Sequence, residues 1–165
     1  MVHFPTINIP YDAIKIQGEN MILISHRGNL EGKSKLENDP TYILKAISEG
    51  YDCEIDLHYS ENKWFLGHDV PQYEISEGFL LLNNLWLHAK TIITLHELMK
   101  FDVNCFYHEK DSCVLTSKGY IWTYPSCSLG HKDIKNNSIC VLPELYNYEE
   151  FNCIGICSDF IKKYK

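Results

Sequence analysis

The chain has 165 residues, room for one domain over 1–165, and its 45% hydrophobic and 13% aromatic content excludes disorder along its whole length. A formal net charge of −7 without long blocks of like charge argues against a general nucleic-acid binder. The longest apolar runs, such as Phe79-Leu80-Leu81-Leu82, fall far below the roughly 18 residues of a membrane span.

In chain order, the start Met1-Val2-His3-Phe4-Pro5 lacks a charged region followed by an apolar stretch, so no secretory signal is expected. Met21 to Ser25 reads as the first strand. Asn38-Asp39-Pro40 then caps a helix over Thr41 to Ser48, with Tyr42, Ile43, Ala46 and Ile47 on one face and Gly50 just past its end. Strands follow at Cys53 to His58, Trp64 to Gly67 and Leu85 to His88. A second helix runs from Thr91 to Met99 with Ile92, Leu95, Leu98 and Met99 as its apolar stripe. The remaining strands are expected at Asn104 to His108, Cys113 to Thr116, Tyr120 to Tyr124, Ser138 to Leu142 and Gly155 to Ser158. Strand, helix, strand at the front predicts a parallel βαβ unit. A closed (β/α)8 barrel usually needs ~250 residues, so a barrel made from this chain gives up several outer helices for loops. The seven cysteines (Cys53, Cys105, Cys113, Cys127, Cys140, Cys153, Cys157) stand singly with no Cys-x-x-Cys pair. That pattern predicts small buried thiols in a reducing, cytoplasmic setting, and neither a disulfide framework nor a thiolate zinc site.

Three groups of polar residues carry the chemistry. His26-Arg27-Gly28 follows directly on an apolar strand, which puts two cation-forming side chains at the strand's carboxyl end, the edge where α/β folds bind ligands. In Glu54-Ile55-Asp56-Leu57-His58, alternation sets Glu54, Asp56 and His58 on one face. Two carboxylates so placed repel each other unless something offsets them, and a hard dication does so. Third comes Gly67-His68-Asp69, joined to the acidic strand through Ser60-Glu61-Asn62-Lys63, a turn between two β-runs. A three-residue loop, Glu61 to Lys63, places His68 across from Asp56 and is the expected register; a two-residue loop turns His68 to the other side. Two histidines, two carboxylates and an arginine at neighbouring strand ends suit metal-assisted cleavage of a phosphodiester, with imidazoles moving protons near neutral pH.

The ordered set His26-Arg27-Gly28, Glu37-Asn38, Gly50-Tyr51-Asp52-Cys53-Glu54-Ile55-Asp56 and Gly67-His68-Asp69 resembles the glycerophosphodiester phosphodiesterase family, within the phospholipase-C-like barrel phosphodiesterases, over residues 21 to 73. Weaker likenesses follow at Leu87-His88-Ala89-Lys90, Tyr120-Ile121-Trp122-Thr123 and Gly155-Ile156-Cys157-Ser158-Asp159. The resemblance implies a compact (β/α)8 TIM-barrel-like domain of lipid metabolism acting on a small phosphodiester, with no nucleic acid and no membrane span. It makes His26 and His68 the acid–base pair, Arg27 and Lys90 the phosphate-binding cations, and Trp122 and Tyr120 the lining of the substrate pocket. Glu54 and Asp56 become metal ligands, with position 88 as a third. The family has Glu or Asp there, and this chain has His88, a poor ligand for Mg2+ or Ca2+ and a good one for Zn2+. The expected cofactor is a divalent metal, Mg2+ or Ca2+ first and Mn2+ or Zn2+ in view of His88. The alternative is a catalytically inactive barrel that binds a phosphate ligand.

Other signals carry less. His96-Glu97 lacks the second histidine of a metalloprotease helix and reads as helix surface. His108-Glu109-Lys110-Asp111 reads as a solvated turn, His58 as exposed, and Glu37-Asn38 as a structural brace.

Overall fold

The computed structural model describes residues 21–125, 137–146 and 153–165. Cys127 and the segment Met1 to Pro5 lie outside the described residues. The elements run β1 (Ile22–His26), α1 (Pro40–Ser48), β2 (Asp52–Ser60), β3 (Lys63–Leu66), β4 (Tyr73–Ile75), α2 (Glu77–Leu80), β5 (Leu85–Ala89), α3 (Ile92–Leu98), β6 (Cys105–Phe106), β7 (Cys113–Leu115), β8 (Ile121–Thr123), β9 (Ser138–Val141) and β10 (Gly155–Ser158). Single 3-10 turns cover Pro143–Tyr146 and Ile161–Tyr164. No helix among the described residues is long and apolar enough to cross a membrane.

All ten strands belong to one mixed sheet, curled into a half-barrel. Seven of them, in the order β6, β5, β2, β1, β10, β9, β8, run parallel, and β7 lies antiparallel on the β8 edge. This overturns the (β/α)8 TIM-barrel expectation. Among the described residues the sheet is not closed by a ladder between β6 and β8, and only three short helices, of nine, four and seven residues, accompany it. The reason lies in the connections. A barrel unit spends a dozen or more residues on each crossover helix, and here the β3–β4 hairpin stands between β2 and β5, and β7 between β6 and β8. In place of a ladder, inward-facing rings meet across the curl, with Phe106 and Trp122 4.8 Å apart and Trp86 and Trp122 5.7 Å apart.

Alternation along the strands builds two apolar layers. Cys53, Ile55, Leu57, Leu85, Leu87, Ala89, Cys140 and Ile156 face outward and are covered by Ile43 and Ala46 of α1 and Leu98 of α3. Ile24, Trp86, Phe106, Trp122, Ile139, Val141 and Cys157 face inward. α1 begins where expected because the Asp39 carboxylate accepts from the backbone N–H of Thr41 and Tyr42 and Pro40 opens the first turn.

β2 organises the functional end. Its first residues pair with β1 and its last four with β3 along the same edge, while β5 takes the opposite edge. The β2–β3 hairpin has the two-residue turn Glu61-Asn62: Ser60 pairs with Lys63 and Leu57 with Leu66. Both turn residues have positive φ, 52° and 59°, as the mirror-image turn that matches strand twist requires. The expected three-residue loop is therefore wrong, and Asp56 lies opposite Gly67 rather than His68, accepting from the Gly67 N–H at 3.1 Å. His68 nevertheless reaches the pocket, because β3 has ended at Leu66 and Gly67 redirects the chain at a φ of 152°. A Cβ at Gly67 would lie 2.1 Å from the Val70 carbonyl oxygen. Gly67→Ala is expected to destabilise the fold by about 1–3 kcal/mol, read from the urea unfolding midpoint, because both the conformation and the space exclude a methyl group.

Candidate functional site

Because the parallel strands share a direction, their carboxyl ends meet at one rim. A pocket of about 220 Å³ opens there, lined by His26 at the end of β1 and Arg27 just after it, Glu54 of β2, His68 after β3, His88 and Lys90 at the end of β5, His108 after β6, and Trp122 and Tyr124 of and after β8. Residues from across the chain thus share a single wall-to-wall site.

Its floor is acidic and buried. Glu54 is 2% exposed and Asp56 not at all. Asp56 is braced by Asn38, whose amide donates to Oδ2 at 3.0 Å while its carbonyl accepts from the Asp56 N–H at 2.9 Å. The Arg27 Nε lies 2.8 Å from Asp56 Oδ2, and the Lys90 Nζ lies 3.3 Å from Oδ1. His88 Nδ1 stands 3.0 Å from Asp56 Oδ1 and 3.5 Å from Glu54 Oε1. Burial on its own would raise the Asp56 carboxyl, but His88, Arg27 and Lys90 outweigh it and hold the group well below the usual carboxylate range. For His88, burial disfavours the charged ring, and the hydrogen bonds to Asp56 and Glu54 overcome that and push it up to about 9. One donor atom each from Glu54, Asp56 and His88 lies within 4.8 Å of the others. Glu54 Oε2 and His88 Nε2 are buried without a hydrogen-bond partner, which is what a set of ligands short of its ion looks like. The two carboxylates and the imidazole therefore fit a divalent metal.

The proton-transfer candidates flank this floor. His26 is buried, and its Nδ1 is 2.7 Å from Asp159 Oδ1. Burial opposes ionisation of Asp159, but hydrogen bonds from His26 and Asn29 keep its carboxyl below the ordinary value. An ionised carboxylate only accepts, so the proton sits on Nδ1 and leaves Nε2 turned to the pocket, 3.8 Å from Glu54 Oε2. His68 repeats the arrangement in the open: Nδ1 is 2.7 Å from Asp69 Oδ1, and the imidazole is 44% exposed. Arg27 is held in a left-handed conformation at φ 55° and is shared between Asp56 and Glu37, the latter at 3.2 Å. Asn29 ties Glu37 and Asp159 together through its amide, at 2.9 and 2.8 Å.

Some expectations need correcting. Tyr120 does not line this pocket; with Trp86 it borders a cavity of about 490 Å³ at the other end of the curl. Tyr120 lies just before β8, two positions short of Trp122 along the same alternation, so Trp122 and Tyr124 reach the rim and Tyr120 does not. Trp122 does line the pocket, as a wall buried at 2% exposure. His58 is buried, with Nε2 2.9 Å from the Gly67 carbonyl. His108 is no part of a solvated turn: its ring lies parallel to His88 with centroids 4.5 Å apart, and burial next to charged His88 pushes it down to about 4. Glu37 and Asn38 do brace the site. Asp159, missed as a partner of His26, carried one signal: it directly follows β10 just as Arg27 directly follows β1.

Comparison of the chain with protein-family models, with curated proteins and with solved structures finds no match.

The two histidine shifts act on stability in opposite directions. His88, raised from 6.5 to about 9, contributes stability that is complete below pH 6.5 and lost as pH rises to 9. His108, lowered to about 4, acts only below pH 6.5. In chelator, the unfolding free energy is expected to fall between pH 6.5 and 9 by on the order of 3 kcal/mol. His88→Gln should flatten that slope in urea titrations across the same window.

Proposed function

We propose that the chain is a metal-dependent phosphodiesterase that cleaves a glycerophosphodiester-like substrate with histidine acid–base chemistry, by hydrolysis or by transesterification to a cyclic phosphate. The observation that carries this reading is the convergence of His26, His68, Arg27 and Lys90 on one pocket above the Glu54, Asp56 and His88 cluster. The resemblance of the ordered motifs from His26 to Asp69 to the glycerophosphodiester phosphodiesterase family supports it independently of geometry.

Arg27 and Lys90 carry the positive charge that offsets negative charge building on the phosphoryl oxygens. His26, fixed by Asp159, presents a lone pair at Nε2 and takes the proton from the attacking water or substrate hydroxyl. His68, the more exposed of the pair, returns a proton to the alcohol that leaves toward solvent. A dication held by Glu54, Asp56 and His88 would supply Lewis-acid stabilisation of a non-bridging phosphoryl oxygen. Trp122 and Tyr124 wall the pocket.

A second reading has its own observation. Charged His88 together with Arg27 and Lys90 already balances Glu54 and Asp56 without an ion, which suits a catalytically silent module that binds a phosphate ligand. Turnover of an aryl phosphodiester with Mg2+, Ca2+, Mn2+ and Zn2+ separates the two. The enzyme reading expects chelator-sensitive turnover, a loss of about 10²–10⁴ in kcat for His26→Ala and for His68→Ala, and a lower kcat at nearly constant KM for Asp159→Asn. No turnover with any of the four metals, alongside measurable inorganic phosphate binding, selects the module.

A further inference from the structure

The third member of the buried cluster is a nitrogen donor, and that has a consequence for which ion the site takes. We infer that the pocket selects a transition dication, Zn2+ foremost, over Mg2+ and Ca2+, with His88 as the residue that sets the choice. This rests on reading Glu54, Asp56 and His88 as a metal-holding set, and it reverses the Mg2+ or Ca2+ preference that the family resemblance implies.

Three observations carry it. The donor set is two carboxylates and one imidazole, all within 4.8 Å of one another and all buried. Mg2+ and Ca2+ take oxygen ligands and dehydrate or expand their shells to do so, whereas imidazole suits Zn2+ and its neighbours in the first transition row. Three protein ligands are also the number that catalytic zinc sites use.

Next, the ring is fixed before any ion arrives. His88 stacks on Phe106 at 5.0 Å and on His108 at 4.5 Å, nearly parallel to both, and its backbone is paired with Asp56 on one side and Phe106 on the other. A ligand whose rotamer is locked by packing presents its nitrogen at little entropic cost and cannot easily swing aside to let water complete an all-oxygen shell.

Finally, the groups left unpartnered are those an ion would use. Glu54 Oε2 and His88 Nε2 are buried and unbonded. The neighbouring cations limit the total charge that the site tolerates: Arg27 and Lys90 both contact Asp56. Ions held mainly by charge, such as Ca2+, lose most from that competition. Ions that gain from a nitrogen bond lose less.

The test is a binding measurement that needs no substrate. Chelator-treated full-length protein is titrated calorimetrically with Zn2+, Co2+, Mg2+ and Ca2+, and the Co2+ complex is followed by its visible absorption. Zn2+ and Co2+ are expected to bind at one site at least about tenfold more tightly than Mg2+ or Ca2+. His88→Glu should weaken Zn2+ by about tenfold or more and strengthen Ca2+, turning the order toward oxygen-seeking ions. His88→Gln, which keeps the side chain's approximate size, should weaken Zn2+ and change the Co2+ spectrum; circular dichroism checks that both variants fold. Mg2+ or Ca2+ binding as tightly as Zn2+ overturns the inference, and so does Zn2+ affinity that neither variant alters, or the absence of binding by any of the four ions. A chain that binds Zn2+ as expected but turns over no diester keeps this inference and loses the proposed function. A chain that turns over diester only with Mg2+ or Ca2+ does the reverse.

Discussion

Asp56 is the side chain on which the functional end depends. A carboxylate with no exposed surface costs several kcal/mol in lost hydration, and four groups from separate parts of the chain meet that cost: Asn38 ahead of α1, Arg27 after β1, and His88 and Lys90 at the end of β5. Each contact also fixes a distance between elements. Arg27 sets where the β1 end lies against β2, Asn38 locates the start of α1, and His88 faces Asp56 across the β2–β5 pairing. Removing any one partner would leave the buried charge under-compensated, so the cluster constrains its surroundings more than its net stabilisation would suggest.

The curled sheet explains why that cluster sits where it does. Along the inward face the rows change character from one end to the other. Ile24 leads to His26, Trp86 to His88, Phe106 to His108, and Cys157 to Asp159, each step being two residues along a strand or just past it. Aromatic and aliphatic side chains fill the middle, and polar ones gather at the carboxyl rim. Parallel strands make this possible, because every row ends at the same edge. The helices are few, yet the site needs only the rim, and the rim comes from the strands.

Much of this was legible in the sequence. The nine expected strands and both expected helices are present with no end shifted by more than two residues, because alternation and capping at Asp39 and Thr91 are local signals. Glu54 and Asp56 could be read from period-two spacing on β2, whereas His88 beside them entered only through the family resemblance. What could not be read was set by contacts distant in sequence. β4 is only three residues long and takes its form from pairing with β3. The hairpin register departs from the expected one because turn chemistry, not the clustering of polar groups, sets it: Glu61-Asn62 adopts the two positive φ values a tight turn needs. Barrel closure was beyond local reading, since it depends on whether β6 and β8 meet.

His26 and Asp159 join positions 133 residues apart. Their contact depends on β10 docking beside β1, a pairing between the earliest and the latest strands described. Contacts of such long range form late and slowly. A nascent chain still short of β10 therefore carries β1, β2 and β5 but an imidazole with no carboxylate to orient it. The order of synthesis itself leaves His26 without its orienting carboxylate until β10 has left the ribosome.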